Sequence, residues 1–387
     1  MGVIDVQQPA FMEEEEISIF ADAVGKFYEK HAPEKRVLKW REDGQVEREF
    51  WREAGEAGLL GTSVPEEYGG HGGDFRHEMV VIDQQGKHGV EGFSASLHNT
   101  VILPYLVRHG TEEQKKKYLP KLVTGELVSA IAMTEPGVGS DLQSITTTAI
   151  QDGNGYRING AKTYISNGQT ADFIIVVAKT DPKERAKGIS LMLLETEGAE
   201  GFQRGKKLDK VGLDAQDTSE LFFDDVFVPS DAVLGGVEGQ GFYQLMGELP
   251  QERLIIAMGA MTTIERALEE TVAYVKDRKA FGKTIWDFQN TQFTLADLKA
   301  RGTAARIFVN DCIAKHLESK LDVPTACMAK YWLTELQGEV VDKCLQLHGG
   351  AGYINDYPIA RMYRDSRITR IFGGSNEIMK MVIARSI

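Results

Sequence analysis

"GYRINGAKTYISNG" (residues 155–168) has the pattern of β-strands and turns rather than the 3.6-residue period of a helix. Tyr156, Ile158 and Tyr164 are interleaved with polar and turn-forming residues. Three more short runs follow, each with strand-forming residues and turn residues at its ends: "ADFIIVVAKT" (171–180), "GISLMLLE" (188–195) and "ELFFDDVFVP" (220–229). Short strands at regular spacing predict an antiparallel β domain. We place this middle domain at residues 126–240.

The segments on either side of this domain have a helical period. Phe20, Val24 and Phe27 recur at helical spacing, and Thr111 precedes Gln114 by the three residues of a capping box. Beyond residue 240 the helix candidates are 241–272, 285–317, 323–347 and 374–385. The order of helices, strands and helices predicts segregated layers and an α+β fold. We expect an N-terminal helical domain (1–125), the β domain (126–240) and a C-terminal four-helix bundle (241–387).

Composition excludes several functional classes. The net charge of −13 over 387 residues disfavours general nucleic-acid binding, because phosphates would be repelled. The sequence contains no run of 18 apolar residues, so no membrane span is predicted. The N-terminal stretch "MGVIDVQQPAFMEEEEISIF" is acidic and resembles neither a secretory nor a transit segment. Three scattered cysteines suit a reducing compartment, so we expect a cytoplasmic protein.

Common catalytic and metal-binding motifs do not occur in the sequence. The patterns GxxxxGK[ST], HExxH, CxxC and GxSxG are absent. His71 and His77 flank a glycine-rich turn, but the eight histidines have no convincing ligand spacing. We therefore expect no metal site and no hydrolase or kinase chemistry.

The stretch "GELPQERLIIA" (247–257) places a carboxylate at the edge of an apolar run. Pro250 is typical of a first helical turn. If residues 249–263 are helical, one stripe contains Leu249, Glu252, Ile256, Gly259 and Thr263. Glu252 is then either a first-turn charge favoured by the helix dipole or a functional carboxylate among apolar neighbours.

Five further motifs occur in sequence order: "AMTEPGVGSD" (132–141), "TYISNG" (163–168), "DRKAFGKTIWDFQ" (277–289), "LQLHGGAGYINDYPIARMYRD" (345–365) and "IFGGSNEIM" (371–379). Their order and spacing resemble the acyl-CoA dehydrogenase family across nearly the whole chain. The resemblance is closest to the long-chain type, in which the catalytic Glu lies on the first helix of the C-terminal domain.

The resemblance implies an FAD cofactor. Its ring would lie at Met133, Thr134 and Ser140, with Tyr164 covering it and Ser166 near N5. Residues that resemble contacts to the FAD of a neighbouring subunit are Arg278, Phe281, Phe288 and Gln289. On the adenine, phosphate and ribose side, the matching residues are Gln346, Gly349, Gly350, Ser375 and Glu377. Ser140 would also contact the acyl-CoA.

The resemblance also implies where the catalytic base lies. Many family members have the base in a C-terminal Tyr-Glu-Gly-Thr pattern, which reads Phe-Gly-Gly-Ser at residues 372–375 here. Long-chain and isovaleryl types supply the acid just before an arginine, and that position matches Glu252. The Gly373 backbone N–H would polarise the thioester carbonyl, with Gly374 also at the substrate. Arg253 would contact the substrate near CoA, or else form a surface salt bridge. We expect Glu248 to be a solvated charge.

By this resemblance the chain is an FAD-dependent flavoprotein oxidoreductase that converts an acyl-CoA to trans-2-enoyl-CoA in fatty-acid β-oxidation. We expect a homotetramer, a dimer of dimers with FAD contacts across subunits, which passes electrons to an electron-transfer flavoprotein. Alternatives are a flavin-dependent oxidase on the same fold and a non-catalytic acyl-CoA-binding module. Residues 89–107 contain no Arg or Lys, which disfavours a dicarboxylic substrate.

Overall fold

A computed structural model describes residues 2–387 of the chain. Its helices occupy the two ends of the sequence and its main sheet the middle, as the α+β prediction requires. Helices of the N-terminal part are α1 (Glu15–His31), α2 (Glu34–Asp43), α3 (Arg48–Glu56), α4 (Phe75–His88), α5 (Ala95–Leu97), α6 (Leu103–His109) and α7 (Glu112–Val123). A single π-helical segment, His98–Ile102, joins α5 to α6. No helix among the described residues is both long and apolar enough to cross a bilayer.

The N-terminal helices enclose an aromatic core. Trp40, Phe50, Trp51 and Phe93 are almost fully buried and pack in tilted or edge-on pairs, an arrangement that aromatic quadrupoles favour. The predicted capping box at the start of α7 is confirmed. Thr111 Oγ1 accepts from the backbone N–H three residues later at 3.3 Å, and the Gln114 side chain accepts from the Thr111 N–H at 3.0 Å.

The middle domain is a seven-stranded sheet with the order β1-β4-β2-β3-β7-β6, and β5 pairs with β4. Its strands are β1 (Ser129–Ala132), β2 (Thr148–Asp152), β3 (Gly155–Ser166), β4 (Phe173–Lys179), β5 (Ile189–Glu195), β6 (Phe202–Lys207) and β7 (Thr218–Pro229). Most pairings are antiparallel, as expected, but β1 and β2 run parallel to β4. The apolar runs of β4 and β5 are buried along nearly their whole length, because the sheet is covered on both faces.

The C-terminal part is built on one long helix, α8 (Gly241–Asp277). The hairpin strands β8 (Lys279–Ala280) and β9 (Lys283–Thr284) follow, and then α9 (Gln289–Leu317), α10 (Val323–His348), α11 (Pro358–Ser366) and α12 (Asn376–Ala384). The helix candidate 285–317 therefore begins later than predicted, after a 3-10 turn, and α11 was not predicted. The domain division at 125/126 and 240/241 stays a prediction.

Pro250 does not lie in a first turn, so that expectation is wrong. It lies in the interior of α8, nine residues after the helix begins. A proline there cannot donate the usual helical hydrogen bond to the carbonyl four residues earlier. The helix continues through this position because it packs against α4, α9 and α10 over its length, and tertiary packing outweighs local propensity.

A buried ion cluster joins the three parts of the chain. Arg41 on α2 contacts Glu91 at 3.3 Å, Asp214 of the β domain at 2.7 Å and Asp365 on α11 at 2.7 Å. Arg266 on α8 also contacts Glu91, at 3.1 Å. Only 7% of the Arg41 side chain is exposed. One guanidinium therefore links helices and loops that are far apart in sequence.

Replacing Arg41 with Met should lower the apparent free energy of unfolding by about 3–5 kcal/mol, because Asp365 would stay buried with no other ion-pair partner among the described residues. The measurement is urea denaturation of the purified protein. Lys39→Met is the matched control. Lys39 is on the same helix, its pairs with Glu42 and Asp43 are exposed, and its loss should change stability by less than about 1 kcal/mol. If both variants lost the same free energy of unfolding, the cluster would have no special role in stability.

Candidate active site

A cavity of about 700 Å³ lies where the N-terminal helices, the sheet and the C-terminal helices meet. One of its walls is formed by α8. The predicted stripe on that helix is confirmed, because Leu249, Glu252, Ile256, Gly259 and Thr263 all line the cavity. The opposing surfaces come from α4 and the loop after it, from the loop that follows β1, from the end of β3 and from the turn before α12.

The cavity brings together residues that are widely separated in the sequence. The predicted site residues that line it are Met133, Thr134, Ser140, Tyr164, Ser166, Glu252, Arg253, Gly373 and Gly374. The predicted cofactor residues that do not line it are Arg278, Phe281, Phe288, Gln289, Gln346, Gly349, Gly350, Ser375 and Glu377. The first set thus forms one site, and the second lies outside this cavity.

Glu252 lies in the interior of α8 and is buried. The alternative of a first-turn charge is therefore wrong, because the dipole acts only within the first turn. Burial raises the pKa of Glu252 to about 7, since removal from water disfavours the anion. Tyr105 on α6 opposes this by donating its hydroxyl to Glu252 Oε1 at 2.9 Å. The charge of Glu248 also contributes to the raised pKa, whereas that of Arg253 opposes it.

Glu248 is not a solvated charge, so that expectation is wrong. It is 3% exposed and forms an ion pair with Arg108, while His109 Nε2 lies 3.2 Å from its other oxygen. The helix places Glu248 one turn before Glu252, so two carboxylates are buried on adjacent turns. The two carboxylates differ in their partners. Among the described residues, Glu248 forms an ion pair with Arg108, whereas Glu252 forms none.

Arg253 is also buried, which excludes the surface salt bridge considered above. Its Nη1 donates to Cys327 Sγ at 3.2 Å, and its Nε has no partner among residues 2–387. A buried guanidinium with an unused donor is costly unless another group neutralises or accepts from it. Because Arg253 lines the cavity, a polar group of a ligand is the natural acceptor.

The turn before α12 can contain only glycine at its tightest point. Gly373 and Gly374 have φ values of 63° and 87°, in the left-handed region that side chains disfavour. A Cβ on Gly373 would lie 2.3 Å from Ile256 Cδ1. The Gly373 N–H donates to no acceptor among the described residues. Gly373 therefore has a backbone donor without a protein partner in the wall of the cavity, at a place that disfavours a side chain.

A buried ion pair holds the loop that follows β1. Lys162 donates to the Met133 carbonyl at 2.9 Å and to Glu135 at 3.0 Å, and Glu135 also accepts from the backbone N–H groups of Thr146 and Thr147. Burial alone would raise the pKa of Glu135, but Lys162 and these hydrogen bonds lower it to about 2. Glu135 is thus fully engaged in holding this loop.

The end of β3 is irregular where it reaches the cavity. Tyr164 has a φ of 60° and lies in a bulge between Lys162 and Ile165, where the register against β7 shifts. The strict alternation of side chains along a strand does not hold through a bulge. Both residues nevertheless line the cavity. A non-glycine residue in this conformation is strained, and such strain is common at ligand sites.

Most of the predicted residues outside the cavity are exposed, whereas Phe288 and Ser375 are half-buried. Phe281, between β8 and β9, is 95% exposed and has a φ of 51°. Added Cβ atoms at Gly349 and Gly350, just after α10, would meet no atom within 4 Å. An aromatic side chain that is almost fully exposed and strained is typical of a surface that contacts another molecule.

The sequence did not indicate Tyr105 or the Arg108–Glu248 pair. Tyr105 lies 147 residues before Glu252, and its position within an apolar helix gave it the pattern of an ordinary core residue. Such partners become visible only when the helices are packed together. A buried carboxylate needs a donor, and this requirement is the one signal that could have prompted a search for Tyr105.

Comparisons with known proteins agree over the full length. Three family models match: acyl-CoA dehydrogenase, N-terminal domain (residues 14–126), middle domain (130–226) and C-terminal domain (239–387). The chain is 48% identical over 374 residues to a mitochondrial long-chain specific acyl-CoA dehydrogenase of Sus scrofa, covering 96% of this chain and 86% of that protein. It is 38% identical over 367 residues to a mitochondrial isovaleryl-CoA dehydrogenase of Pongo abelii, covering 94% and 86%. The crystal structure of acyl-CoA dehydrogenase from Geobacillus kaustophilus matches with a TM-score of 0.94 and 47% identity, covering 96% of this chain and 98% of that chain.

Changing Tyr105 to Phe should raise the pKa of Glu252 above its value of about 7, because the anion would lose a hydrogen bond. The measurement is a difference infrared titration of the buried carboxyl, with Glu252→Gln as the blank. Tyr118→Phe is the control, since the Tyr118 hydroxyl contacts Glu195 instead. A titration curve unchanged in Tyr105→Phe would rule out the contact in solution.

Proposed function

This chain belongs to the acyl-CoA dehydrogenase family, and we propose that Glu252 is the base that takes the α-proton of its acyl-CoA substrate. Family membership makes the protein an FAD-dependent oxidoreductase that acts on the CH–CH group of an acyl-CoA. The observation that supports Glu252 is its position: a carboxylate with a pKa of about 7, buried, at the wall of the cavity. A general base is most effective when its pKa is close to the working pH.

The cavity fits the flavin of FAD on the side of the β domain. Gly139 has no atom within 4 Å of where a Cβ would lie, and the loop around it lines the cavity. We propose that Met133, Thr134, Ser140, Tyr164 and Ser166 hold the flavin, and that the strained Tyr164 covers it. Bound FAD supplies the acceptor for the β-hydride. We propose that further contacts to FAD lie outside this cavity, some of them across a subunit boundary, at Arg278, Phe281, Phe288, Gln289, Gln346, Gly349, Gly350, Ser375 and Glu377.

Different residues of the chain contribute separately to removal of the α-proton. The Gly373 N–H has no protein acceptor, so it can donate to the thioester carbonyl and stabilise the enolate as an oxyanion hole does. Glu252 receives the α-proton, and Tyr105 keeps its carboxylate in one orientation. Gly374 leaves room for the thioester, and Arg253 offers its unused Nε to a polar group of the substrate. Expulsion of water by the acyl chain strengthens each of these interactions.

We propose a long straight-chain acyl-CoA as the substrate. The cavity follows α8 from Glu252 to at least Thr263, a distance of about 16 Å at the helical rise per residue. A four-carbon acyl group would leave most of that length empty. The likeness to the long-chain enzyme of Sus scrofa supports this choice. Arg266, which also lines the cavity, is not free to bind a second carboxylate, because Glu91 neutralises it at 3.1 Å.

We also propose the assembly and the electron acceptor. Exposed, strained Phe281 suits burial against a second copy of the chain, and the family resemblance supports a homotetramer with an electron-transfer flavoprotein as partner. The three cysteines are free and buried, which supports a reducing compartment. The cytoplasm stays a prediction, because the curated relatives named above are mitochondrial.

Changing Glu252 to Gln should slow reduction of the bound flavin by acyl-CoA by roughly 10²–10⁴-fold, the usual contribution of a general base. The measurement is anaerobic stopped-flow bleaching of the flavin absorbance. The variant should still purify with FAD, because the flavin-side residues are untouched.

Glu248→Gln is the matched control, with the same chemical change one turn away. It removes a charge that raises the pKa of Glu252, so flavin reduction should continue and its acidic limb should move to lower pH. Reduction of Glu252→Gln at the wild-type rate would show that another group is the base.

Replacing Gly259 with Leu should shorten the usable acyl chain. A Cβ on Gly259 would meet no atom within 4 Å, and the residue lines the cavity. A leucine side chain at this open position would fill the space of a long acyl chain. We expect kcat/KM for a 16-carbon substrate to fall by about 10- to 100-fold, which corresponds to a crowding cost of about 1–3 kcal/mol for the bound chain. Butyryl-CoA should be affected little.

Gly247→Leu is the control for this substitution. Gly247 is on the same helix, has equally open surroundings and does not line the cavity. Loss of activity with all chain lengths in Gly259→Leu, or an unchanged preference, would contradict the proposed path.

A further inference from the structure

A lysine is completely buried behind the turn that contains Gly373 and Gly374. Lys330 on α10 has no exposed surface. Its ammonium donates to the Gly374 carbonyl oxygen at 2.8 Å and to Asn376 Oδ1 at 2.9 Å. Both of these acceptors are uncharged. The two hydrogen bonds connect the middle of α10 to the turn and to the first residue of α12.

Burying this ammonium is unfavourable. Burial, together with the nearby charge of Arg253, lowers the pKa of Lys330 to about 8, so the charged form of this side chain is destabilised by its surroundings. An apolar side chain of similar volume could fill the position without the desolvation cost. Packing alone therefore does not explain a lysine at residue 330.

The turn needs an external support. Gly373 and Gly374 both have left-handed backbone conformations and no side chains to pack, and glycine has the largest conformational freedom to lose. Asn376 is held by Thr334 Oγ1 at 3.0 Å and by Glu335 at 2.7 Å. Lys330 is the side chain that reaches the backbone of the turn itself.

We propose that Lys330 is a positioning residue that keeps the Gly373 N–H aimed at the thioester carbonyl by holding the Gly374 carbonyl oxygen. The inference rests on the proposed function, in which Gly373 is the donor. A donor stabilises a developing enolate only if its direction is set before the reaction, so that no reorganisation is needed. Lys330 provides that restraint from the side of the turn that faces away from the cavity.

The test is the carbonyl stretch of a bound thioester in the FAD-loaded enzyme. A trans-2-enoyl-CoA labelled with 13C at the thioester carbonyl is added to the enzyme. Isotope-edited infrared spectroscopy then compares the carbonyl stretching frequency of the bound compound with that of the free compound in water. Wild type should lower the frequency, because the hydrogen bond polarises the carbonyl. Lys330→Met should lose most of that shift, and flavin reduction should slow by about 10- to 100-fold, less than the 10²–10³ for a removed donor.

Thr334→Val is the matched control. Thr334 belongs to the same buried network and contacts Asn376, but it does not contact Gly374. The Thr334→Val variant should keep the wild-type frequency shift even if it unfolds at a lower temperature. If Lys330→Met does not fold, Lys330→Gln takes its place, because an amide can donate to Gly374 without the charge and should retain an intermediate shift.

The outcomes separate the two proposals. A wild-type shift that Lys330→Met or Lys330→Gln keeps in full overturns the role of Lys330 alone. If Thr334→Val loses as much of the frequency shift as Lys330→Met, the role of Lys330 is overturned as well, because the effect then belongs to the buried network and not to the contact with the turn. No frequency shift in wild type would overturn the donor role of Gly373, and with it this inference. A shift lost only at residue 330 supports the proposal.

Discussion

A single buried guanidinium, Arg41, is bound by carboxylates from all three parts of the chain. Glu91 follows α4, Asp214 belongs to the β domain and Asp365 lies on α11. Glu91 and Asp365 also line the central cavity. The walls of the site come from different domains, so their spacing depends on contacts of this kind. An ion cluster in low dielectric is sensitive to small displacements, because an uncompensated charge there is costly. The cluster therefore restrains the relative positions of the elements around Glu252.

The position of the acid follows from space and burial together. A side chain at residue 373 is disfavoured, since its Cβ would lie 2.3 Å from Ile256 Cδ1 and the backbone is left-handed. Residue 252 is one turn before Ile256 on the same helix, faces the same cavity and has a tyrosine hydroxyl as partner. The absence of a carboxylate at 373 and its presence at 252 are thus two aspects of one packing arrangement. Gly373 nevertheless keeps a backbone N–H without a protein acceptor.

Local patterns predicted much of this molecule. The strands of the middle domain, the capping box at Thr111 and the stripe on α8 each depend on residues close in sequence, and all are observed. The errors have the opposite origin. Pro250 continues a helix because neighbouring helices support it, and Tyr164 leaves the strand alternation at a bulge. Tyr105 and Lys330 reach their partners over 147 and 44 residues, and neither has a motif. Buried partners of functional groups are long-range contacts, which sequence periodicity does not report.

The close approach of residues 256 and 373 couples the two positions. A Cβ at residue 373 would lie 2.3 Å from Ile256 Cδ1, so a side chain there requires the Ile256 side chain to move and residue 373 to keep a left-handed backbone. A carboxylate at 373 would also face the same cavity as Glu252, and two nearby acids repel each other when both are ionised. We therefore expect the effects of substitutions at 256 and 373 to be non-additive.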